Sequence, residues 1–358
     1  MINLFKAKLE GLLNRLSDAQ SDRCSNFCTA LKYRIAKAYR YFRWLKPVIR
    51  GLDFIIVRTN GNRFIEFELS NICNARCVFC PYPDMLKSGK TFTHMTKQTL
   101  NAVSGLFSRF KGTLVSFTPT TGDTLLHPEW DTFMTSILGL ESVGRATMFT
   151  NAIELDEDAV ERLIHLIRQD KKGKFSQIYF SLGGYNKTSY KQLYQVDRFD
   201  KVQANIRHLM KRLIQERIPL GIHLHVKLEK HIKADKEMSN RVYNPDGYPF
   251  VYISHSQSYF SNDAYKRNAL IDYYSIKQES REKACAYLNK TRFAADGGIW
   301  ADGCVISEMP GDDTLKLGDV KSDWEAIESL RHNLIVNWED KGEIPKPCKG
   351  CTMYRPRK

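Results

Sequence analysis

The 358-residue sequence lacks two kinds of hydrophobic segment. It contains no run of eighteen apolar residues, so we predict no membrane-spanning helix. Its first residues also lack the uninterrupted apolar stretch and small-residue cleavage site of a secretory signal. In a chain without such a signal, nine cysteines favour a reducing compartment and metal ligation over disulfides. We therefore predict a cytoplasmic protein.

Acidic residues are scarce in the first 50 positions, where eleven Lys and Arg face three acids and give a net charge of +8. Apolar residues recur there at helical spacing, which predicts basic amphipathic helices. Such helices can cap a barrel with their basic side in solvent, or lie on anionic lipid. We assign residues 1–55 to a basic helical extension. Peripheral contact of residues 1–50 with the inner face of a membrane is the alternative to capping, and no nucleic-acid partner is expected.

Beyond this extension, short apolar runs alternate with amphipathic helical stretches, which is typical of repeated βα units. The predicted strands are 64–69, 113–117, 146–150, 177–182, 220–226 and 250–254, and the predicted helices are 95–110, 129–138, 156–167 and 202–215. Six repeats are fewer than the eight of a closed barrel. The pattern therefore predicts an α/β fold with an incomplete barrel.

Three cysteines follow the first predicted strand at the spacing CxxxCxxC, namely Cys73, Cys77 and Cys80. Structural zinc sites and electron-transfer clusters normally take four protein ligands. Three thiolates leave one metal coordination position open for a small molecule, which suits chemistry better than scaffolding. The alternatives are a zinc site completed by another residue such as His94, or three unrelated cysteines.

The CxxxCxxC spacing, with Phe79 directly before the last cysteine, resembles the radical S-adenosylmethionine (radical SAM) superfamily. The resemblance implies that the three cysteines hold a 4Fe-4S cluster whose fourth iron binds SAM. In that family an electron from the cluster cleaves SAM to methionine and a 5'-deoxyadenosyl radical, which removes a hydrogen atom from the substrate. The resemblance also implies a partial (β/α)6 TIM-like barrel, which we assign to residues 56–265.

Further stretches at the predicted strand ends resemble the SAM-binding motifs of this family. The sequence TTGDT at 120–124 is similar to the GGEP motif, with threonine for the first glycine, aspartate for glutamate and threonine for proline. Thr-Asn at 150–151 and Ser-Leu-Gly-Gly at 181–184 resemble TNG and SLDG, the latter without its acid. The cofactor-binding positions implied by the resemblance are Phe79, Thr121, Gly122, Asp123, Asn151 and Ser181. No catalytic residue is assigned, and the possible substrate contacts are His127, His223, His225 and His255.

Four more cysteines lie behind the predicted barrel: Cys285, Cys304, Cys348 and Cys351. Four thiols complete a metal site, and on ligand count zinc fits as well as an iron–sulfur cluster. Their setting resembles the SPASM/Twitch-type auxiliary domain of radical SAM enzymes, in which a β-hairpin (299–306) and a helix (323–330) surround a second 4Fe-4S cluster. We assign residues 266–358 to such a domain.

The resemblance implies a radical SAM enzyme that oxidises a hydroxyl-bearing small molecule, such as a sugar or cyclitol, with the auxiliary cluster accepting an electron. The alternatives are a radical SAM peptide maturase that forms crosslinks or epimerises residues, and a zinc-bound scaffold without catalysis. The positive charge of the chain would suit an anionic substrate. A reductase, flavodoxin or ferredoxin is the expected electron donor.

Overall fold

The computed structural model describes most of the chain beyond the basic extension. The described residues are 64–107, 109–110, 113–259, 268–274, 281–301 and 312–357. The strands are β1 (Phe64–Phe67), β2 (Thr113–Phe117), β3 (Val143–Thr150), β4 (Phe175–Gly183), β5 (Gly221–Lys227), β6 (Val251–Ser256), β7 (Ser258–Tyr259), β8 (Asp272–Tyr273), β9 (Thr291–Phe293), β10 (Gly298–Trp300) and β11 (Lys316–Asp319). The α-helices are α1 (Tyr82–Lys87), α2 (Lys97–Phe107), α3 (Trp130–Gly139), α4 (Glu157–Gln169), α5 (Lys187–Tyr194), α6 (Phe199–Gln215), α7 (Lys236–Tyr243), α8 (Trp324–Lys341) and α9 (Lys346–Lys349). The predicted extension at 1–55 lies outside the described residues, and none of the helices within them is long and apolar enough to cross a membrane.

Strands β1 to β6 pair with one another in chain order, and every one of these pairs is parallel. Parallel neighbours need crossover connections, and each connection between consecutive strands carries at least one α-helix. All six predicted strands are present, so the predicted partial (β/α)6 barrel is confirmed. Helices α1, α5 and α7 were not predicted, because six to eight residues are too short to show a clear period of 3.6.

The two faces of this sheet have different environments. Met148, Ile178 and Leu224 are fully buried on the outer face, where the helices pack. On the inner face, four rings stand in register on β3 to β6 and stack with centroid separations of 4.3, 4.1 and 4.6 Å. These rings belong to Phe149, Tyr179, His223 and Tyr252. The inner face of β3 to β6 therefore carries a row of stacked aromatic and imidazole rings where an aliphatic core would have Val, Ile or Leu.

The strand period of two explains the positions of the three candidate strand histidines. His223 and His225 share the inner face of β5, as their alternation predicts. His255 pairs in register with Val226, which faces outward, and its Nε2 lies 2.8 Å from Ser239 Oγ on α7. His255, predicted to follow strand six as a possible substrate contact, thus lies within β6 and faces α7, so that interpretation does not hold.

The C-terminal segment extends the same sheet beyond β1. Strand β9 pairs in parallel with β1, and β10 and β11 follow in antiparallel pairs, so the sheet order is β11-β10-β9-β1-β2-β3-β4-β5-β6. The helix predicted at 323–330 is present, but it continues to Lys341 and ends where Gly342 adopts a positive φ of 70°. The hairpin predicted at 299–306 begins one residue earlier with β10, and residues 302–311 lie outside the described residues.

A buried ion pair lies where β1 meets this C-terminal segment. Arg292 Nη1 is 3.8 Å from Glu68 Oε2, and both side chains are almost completely buried. Glu68 Oε1 also accepts a hydrogen bond from Ala295 N at 3.1 Å, and the Arg292 guanidinium lies over the Trp300 ring at 5.0 Å. These contacts join the segment that precedes the cysteine loop to the C-terminal strands.

We expect Arg292→Met to lower the free energy of unfolding by about 3–5 kcal/mol, because it leaves the buried Glu68 carboxylate without its counter-charge. Arg109→Met is the matched control, since Arg109 and Glu325 also join the barrel to the C-terminal segment, but as an exposed pair at 3.0 Å. Exposed pairs contribute about 1 kcal/mol or less. Urea unfolding measures both variants, and equal losses would contradict the assignment.

Candidate active site

Cys73, Cys77 and Cys80 lie on the loop that follows β1, at the carboxyl end of the parallel strands. In parallel α/β folds this is the end that carries the chemistry. All three side chains are half-buried, and none of the described cysteines forms a disulfide. The fold thus brings three thiols together on one loop at the mouth of the barrel.

Helix α5 holds the backbone of this cysteine loop. Arg76 N donates to Tyr194 O at 3.0 Å, and Val78 N donates to Leu193 O at 2.9 Å. The last carbonyls of a helix have no partner inside the helix, so they are available as acceptors. Gln195, in the left-handed conformation, then turns the chain away from the loop. The carboxyl end of α5 therefore acts as a support for the thiols.

Asp123 joins the ends of β2 and β3. Its carboxylate accepts hydrogen bonds from Leu125 N at 3.0 Å, from Thr150 Oγ1 at 2.9 Å and from Asn151 N at 2.7 Å. The side chain is 3% exposed, and burial raises its pKa to about 6 despite these donors. The carboxylate of Asp123, which was predicted to bind the cofactor, thus accepts its hydrogen bonds from groups of the protein itself.

Gly122 lies where the loops after β1 and β2 approach each other. Its φ is +153°, and a Cβ atom there would lie 2.4 Å from Ser70 O and 2.8 Å from Asn71 Cα. Because both contacts are to backbone, only glycine fits this position. Thr121, the preceding predicted site residue, is buried.

Asn151 connects the end of β3 to the cysteine loop. Its Nδ2 donates to Asn74 Oδ1 at 2.8 Å, while its Oδ1 accepts from Ile153 N at 2.9 Å. Asn74 in turn donates to Glu154 Oε1 at 3.0 Å. The side chain that was predicted to contact SAM therefore also positions the residue next to Cys73.

Tyr194 explains the missing acid of the SLDG-like stretch. A Cβ atom at Gly183 would lie 2.6 Å from Cδ2 of the Tyr194 ring, so the ring fills the space that a side chain at 183 would need. The Tyr194 hydroxyl lies 2.9 Å from Ser181 Oγ. Ser181 is thus oriented by a helix residue that the motif does not contain.

Phe79, directly before the last cysteine, belongs to a cluster of rings. It stacks on Tyr259 of β7 at 5.1 Å and makes an edge contact with Tyr194 at 5.6 Å. The ammonium of Lys227, at the end of β5, lies 5.4 Å from the Phe79 ring centroid. Burial lowers the pKa of Lys227 to about 8, an effect that the thiols of Cys77 and Cys80 oppose when ionised.

The family comparison bears on the part of the chain that holds this constellation. The family model described as "Radical SAM superfamily" matches residues 67–229, which include the cysteine loop and the carboxyl ends of β2 to β5. The chain contains a radical SAM domain. No curated protein sequence gives a significant match.

Solved structures of anSMEcpe share the fold of this chain. A structure of histidine-tagged anSMEcpe with bound AdoMet has a TM-score of 0.52 at 13% identity, and the match covers 81% of this chain and 85% of that one. The structure with AdoMet and the Kp18Cys peptide has a TM-score of 0.51 at 13% identity, with coverage of 81% and 89%. BtrN in complex with AdoMet and 2-DOIA has a TM-score of 0.44 at 14% identity, with coverage of 80% and 92%.

The family implies a 4Fe-4S cluster and SAM, and the donor set of the loop fits them. Burial raises the pKa of Cys73 to about 11, and burial together with Cys80 and Cys73 raises the pKa of Cys77. The thiols of Cys73 and Cys77 are therefore protonated without metal, and iron binding would release their protons. Two buried hydroxyls at this site, Thr120 Oγ1 and Tyr190 OH, have no hydrogen-bond partner within the part of the chain that the structure describes.

The zinc alternative at the cysteine loop used His94 as a fourth ligand. In the structure His94 Nδ1 lies 3.0 Å from Ser70 Oγ, and its ring packs against His127. Over the described ranges, no three His, Cys, Asp or Glu side chains form a group that could hold a single metal ion, and this includes the three thiols of the cysteine loop. The thiolates of a 4Fe-4S cluster bind different irons, so they need not converge on one point. His127 caps the start of α3, since its Nδ1 accepts from Glu129 N at 3.0 Å and its Nε2 lies 2.9 Å from Met95 O. His127 is therefore a packing and capping residue, not a substrate contact.

Three of the four C-terminal cysteines lie in the described residues. Cys285 is buried and its segment pairs with Pro356, while Cys348 and Cys351 follow one another around α9. Arg281 donates to the carbonyl oxygens of both Cys348 and Cys351. Burial and then the Cys285 thiol raise the pKa of Cys351, so Cys285 and Cys351 are electrostatic neighbours. Cys304 lies outside the described residues.

Several site residues were not recognised in the sequence. Tyr190 and Tyr194 stand four apart directly after the Gly-Gly pair, a helical spacing that could have placed both on one face. Lys227 continues the alternation of His223 and His225, so it could have been assigned to the inner face. Tyr259 gave no signal, because its stack on Phe79 joins residues far apart in the chain.

We expect Gly183→Ala to lower the free energy of unfolding by about 1–3 kcal/mol, because the new methyl group overlaps the Tyr194 ring. In a Tyr194→Ala background the same change should cost less than about 0.5 kcal/mol, which a double-mutant cycle measures. Gly105→Ala in α2 is the control: no atom lies within 4 Å of the added Cβ, and a small gain in stability is expected. A cost at 183 that persists without Tyr194 would contradict this explanation.

Proposed function

We propose that this protein is a radical SAM enzyme that oxidises a hydroxyl-bearing small molecule, with a second cluster at the C-terminal cysteines accepting an electron. The observation that carries the first part is the loop of three thiols at the mouth of a six-stranded parallel sheet. When bound, the cluster supplies the electron that cleaves SAM to methionine and a 5'-deoxyadenosyl radical. The residues of the chain bind, orient and shield the reacting groups.

Side chains from successive strand ends are available for SAM. Asn151 directly follows β3, and a hydrogen bond to Asn74 already orients it. Ser181 lies on β4, and a hydrogen bond with Tyr194 orients it. Such preorganisation lowers the entropic cost of binding. Lys227 at the end of β5 adds a positive charge beside Phe79, which suits the carboxylate of SAM or an anionic group of the substrate.

Oxidation of an alcohol requires three separate acceptors. The carbon loses a hydrogen atom to the deoxyadenosyl radical, the hydroxyl group loses a proton to a base, and one further electron must leave to form the carbonyl. The C-terminal cysteines support an electron acceptor, because Cys285, Cys348 and Cys351 with Cys304 would fill every protein ligand position of a cluster. A fully ligated cluster has no open iron for substrate, which favours electron transfer.

Peptide modification is the alternative function. It is favoured by one observation, that the fold is similar to anSMEcpe, which has been solved with bound peptides. A zinc ion at the C-terminal cysteines would also favour it, since zinc has no redox chemistry and could accept no electron. The metal content of the C-terminal site therefore separates the two candidates.

Two partners belong to this proposal. A flavodoxin, ferredoxin or reductase would deliver the electron to the cysteine loop. Residues 1–50, with their excess of Lys and Arg, would contact anionic lipid or cap the barrel. The substrate would carry an anionic group that complements Lys227 and the net positive charge of the chain.

We expect about eight irons per chain after anaerobic reconstitution, and about four in a variant with Cys73, Cys77 and Cys80 all replaced by alanine. That variant should form no 5'-deoxyadenosine. Cys28→Ala is the control, because Cys28 lies in the basic extension and belongs to neither proposed cluster, and this variant should keep both the iron content and SAM cleavage. Iron and sulfide analysis with product chromatography tests this, and SAM cleavage that survives loss of the three thiols would exclude the proposed function.

For the second cluster, we expect Cys285→Ala/Cys351→Ala to keep about four irons and to keep reductive SAM cleavage. Its electron paramagnetic resonance spectrum should lose one reduced-cluster signal and retain the signal that changes on addition of SAM. Wild-type protein with about four irons and one zinc would instead contradict the electron-acceptor role and favour peptide modification.

A further inference from the structure

Two tyrosines of α5 lie side by side beneath the cysteine loop, but only one of their hydroxyls is bonded. The rings of Tyr190 and Tyr194 are nearly parallel, with centroids 4.8 Å apart and an interplanar angle of 13°. The Tyr194 hydroxyl bonds to Ser181. The Tyr190 side chain is completely buried, yet its hydroxyl has no hydrogen-bond partner in the described ranges.

An unbonded hydroxyl at this depth is costly. An unsatisfied buried hydroxyl destabilises the folded state, and phenylalanine would fill the same space without that loss. Tyr243, a second buried tyrosine that packs on the same Phe199 ring, shows the usual solution, since its hydroxyl donates to Gly184 O at 2.8 Å. Tyr190 therefore carries a donor that no residue of the described part of the chain accepts.

The surroundings of Tyr190 indicate where this donor is used. Burial is the main cause that raises the pKa of Tyr190, and the nearby Cys77, Asp123 and Cys73 raise it further. The phenol therefore keeps its proton. The Asp123 carboxylate already accepts hydrogen bonds from Leu125, Thr150 and Asn151. Cys73 Sγ also accepts already, from Ala75 N at 3.5 Å. Of these three neighbours this leaves the sulfur of Cys77, on the loop that the carbonyls of α5 hold.

We propose that the Tyr190 hydroxyl donates a hydrogen bond to a sulfur atom of the iron-loaded cysteine loop and thereby raises the reduction potential of the cluster. The proposal rests on the proposed function, because it requires a cluster at Cys73, Cys77 and Cys80. Hydrogen bonds to cluster sulfurs stabilise the negative charge that reduction adds, so they make the cluster easier to reduce. Tyr190 is thus a positioning and tuning residue, not a catalytic one.

The test is the midpoint potential of the SAM-binding cluster, measured by a redox titration followed by electron paramagnetic resonance. Tyr190→Phe should load the same amount of iron as wild type but show a more negative midpoint potential. It should also lose one exchangeable-proton coupling in pulsed spectra recorded in H₂O and D₂O. Tyr243→Phe is the matched control and should leave both quantities unchanged. A normal iron content with an unchanged potential in Tyr190→Phe would overturn this inference and leave the proposed function standing.

Thermal unfolding of the metal-free protein gives an independent readout. Tyr190→Phe should leave the Tm unchanged or raise it, because it removes an unsatisfied buried group, whereas Tyr243→Phe should lower it. An equal loss in both variants would show that the Tyr190 hydroxyl is bonded within the protein, and would overturn the inference. Absence of iron from the cysteine loop of the wild-type protein would overturn it together with the proposed function.

Discussion

The hydrogen bonds between the carboxyl end of α5 and the cysteine loop are the constraint on which the site depends. Within the loop, Arg76 Nη1 donates to Cys73 O and Ala75 O. From outside, the loop N–H groups of Arg76 and Val78 are held by Tyr194 O and Leu193 O, which a helix leaves unused at its end. Because α5 directly follows β4, the same short segment fixes both the thiols and the strand end that carries Ser181. Helix and loop therefore form one unit.

The departures from the family motifs have physical explanations in this unit. Glycine at 183 replaces an acid because the Tyr194 ring occupies that volume and bonds to Ser181 in its place. Aspartate at 123 is one methylene shorter than glutamate, and its carboxylate reaches the ends of β2 and β3 instead of extending outward. Gly122 remains glycine because the backbone at Ser70 and Asn71 leaves no room for a Cβ atom. The changes at 183 and 123 are thus each matched by neighbouring residues that the structure places there.

The sequence was sufficient for the parallel sheet and the cysteine loop, because both depend on local signals. Short apolar runs identified all six strands, and the spacing of the three thiols can be seen in the sequence alone. Contacts between residues that are distant in the chain could not be predicted. No sequence feature near Phe79 indicates its stack on Tyr259, and none near Glu68 indicates its ion pair with Arg292. Strand β9 was missed because three residues are too few to show alternation, although its pairing with β1 decides where the C-terminal segment lies. His255 was misassigned because its strand was known but its register was not.

The pairing of β9 with β1 bears on the proposed electron transfer between the two groups of cysteines. Strand β1 leads into the cysteine loop, and β9 lies between Cys285 and the antiparallel strands β10 and β11. Ladder hydrogen bonds and the buried pair of Glu68 and Arg292 fix these two strands to each other. A shared sheet resists the relative motion that two domains joined by a linker would undergo. A protein that only tethered a metal for stability would not need this rigidity, whereas one that moves an electron out of a radical site needs a constant separation.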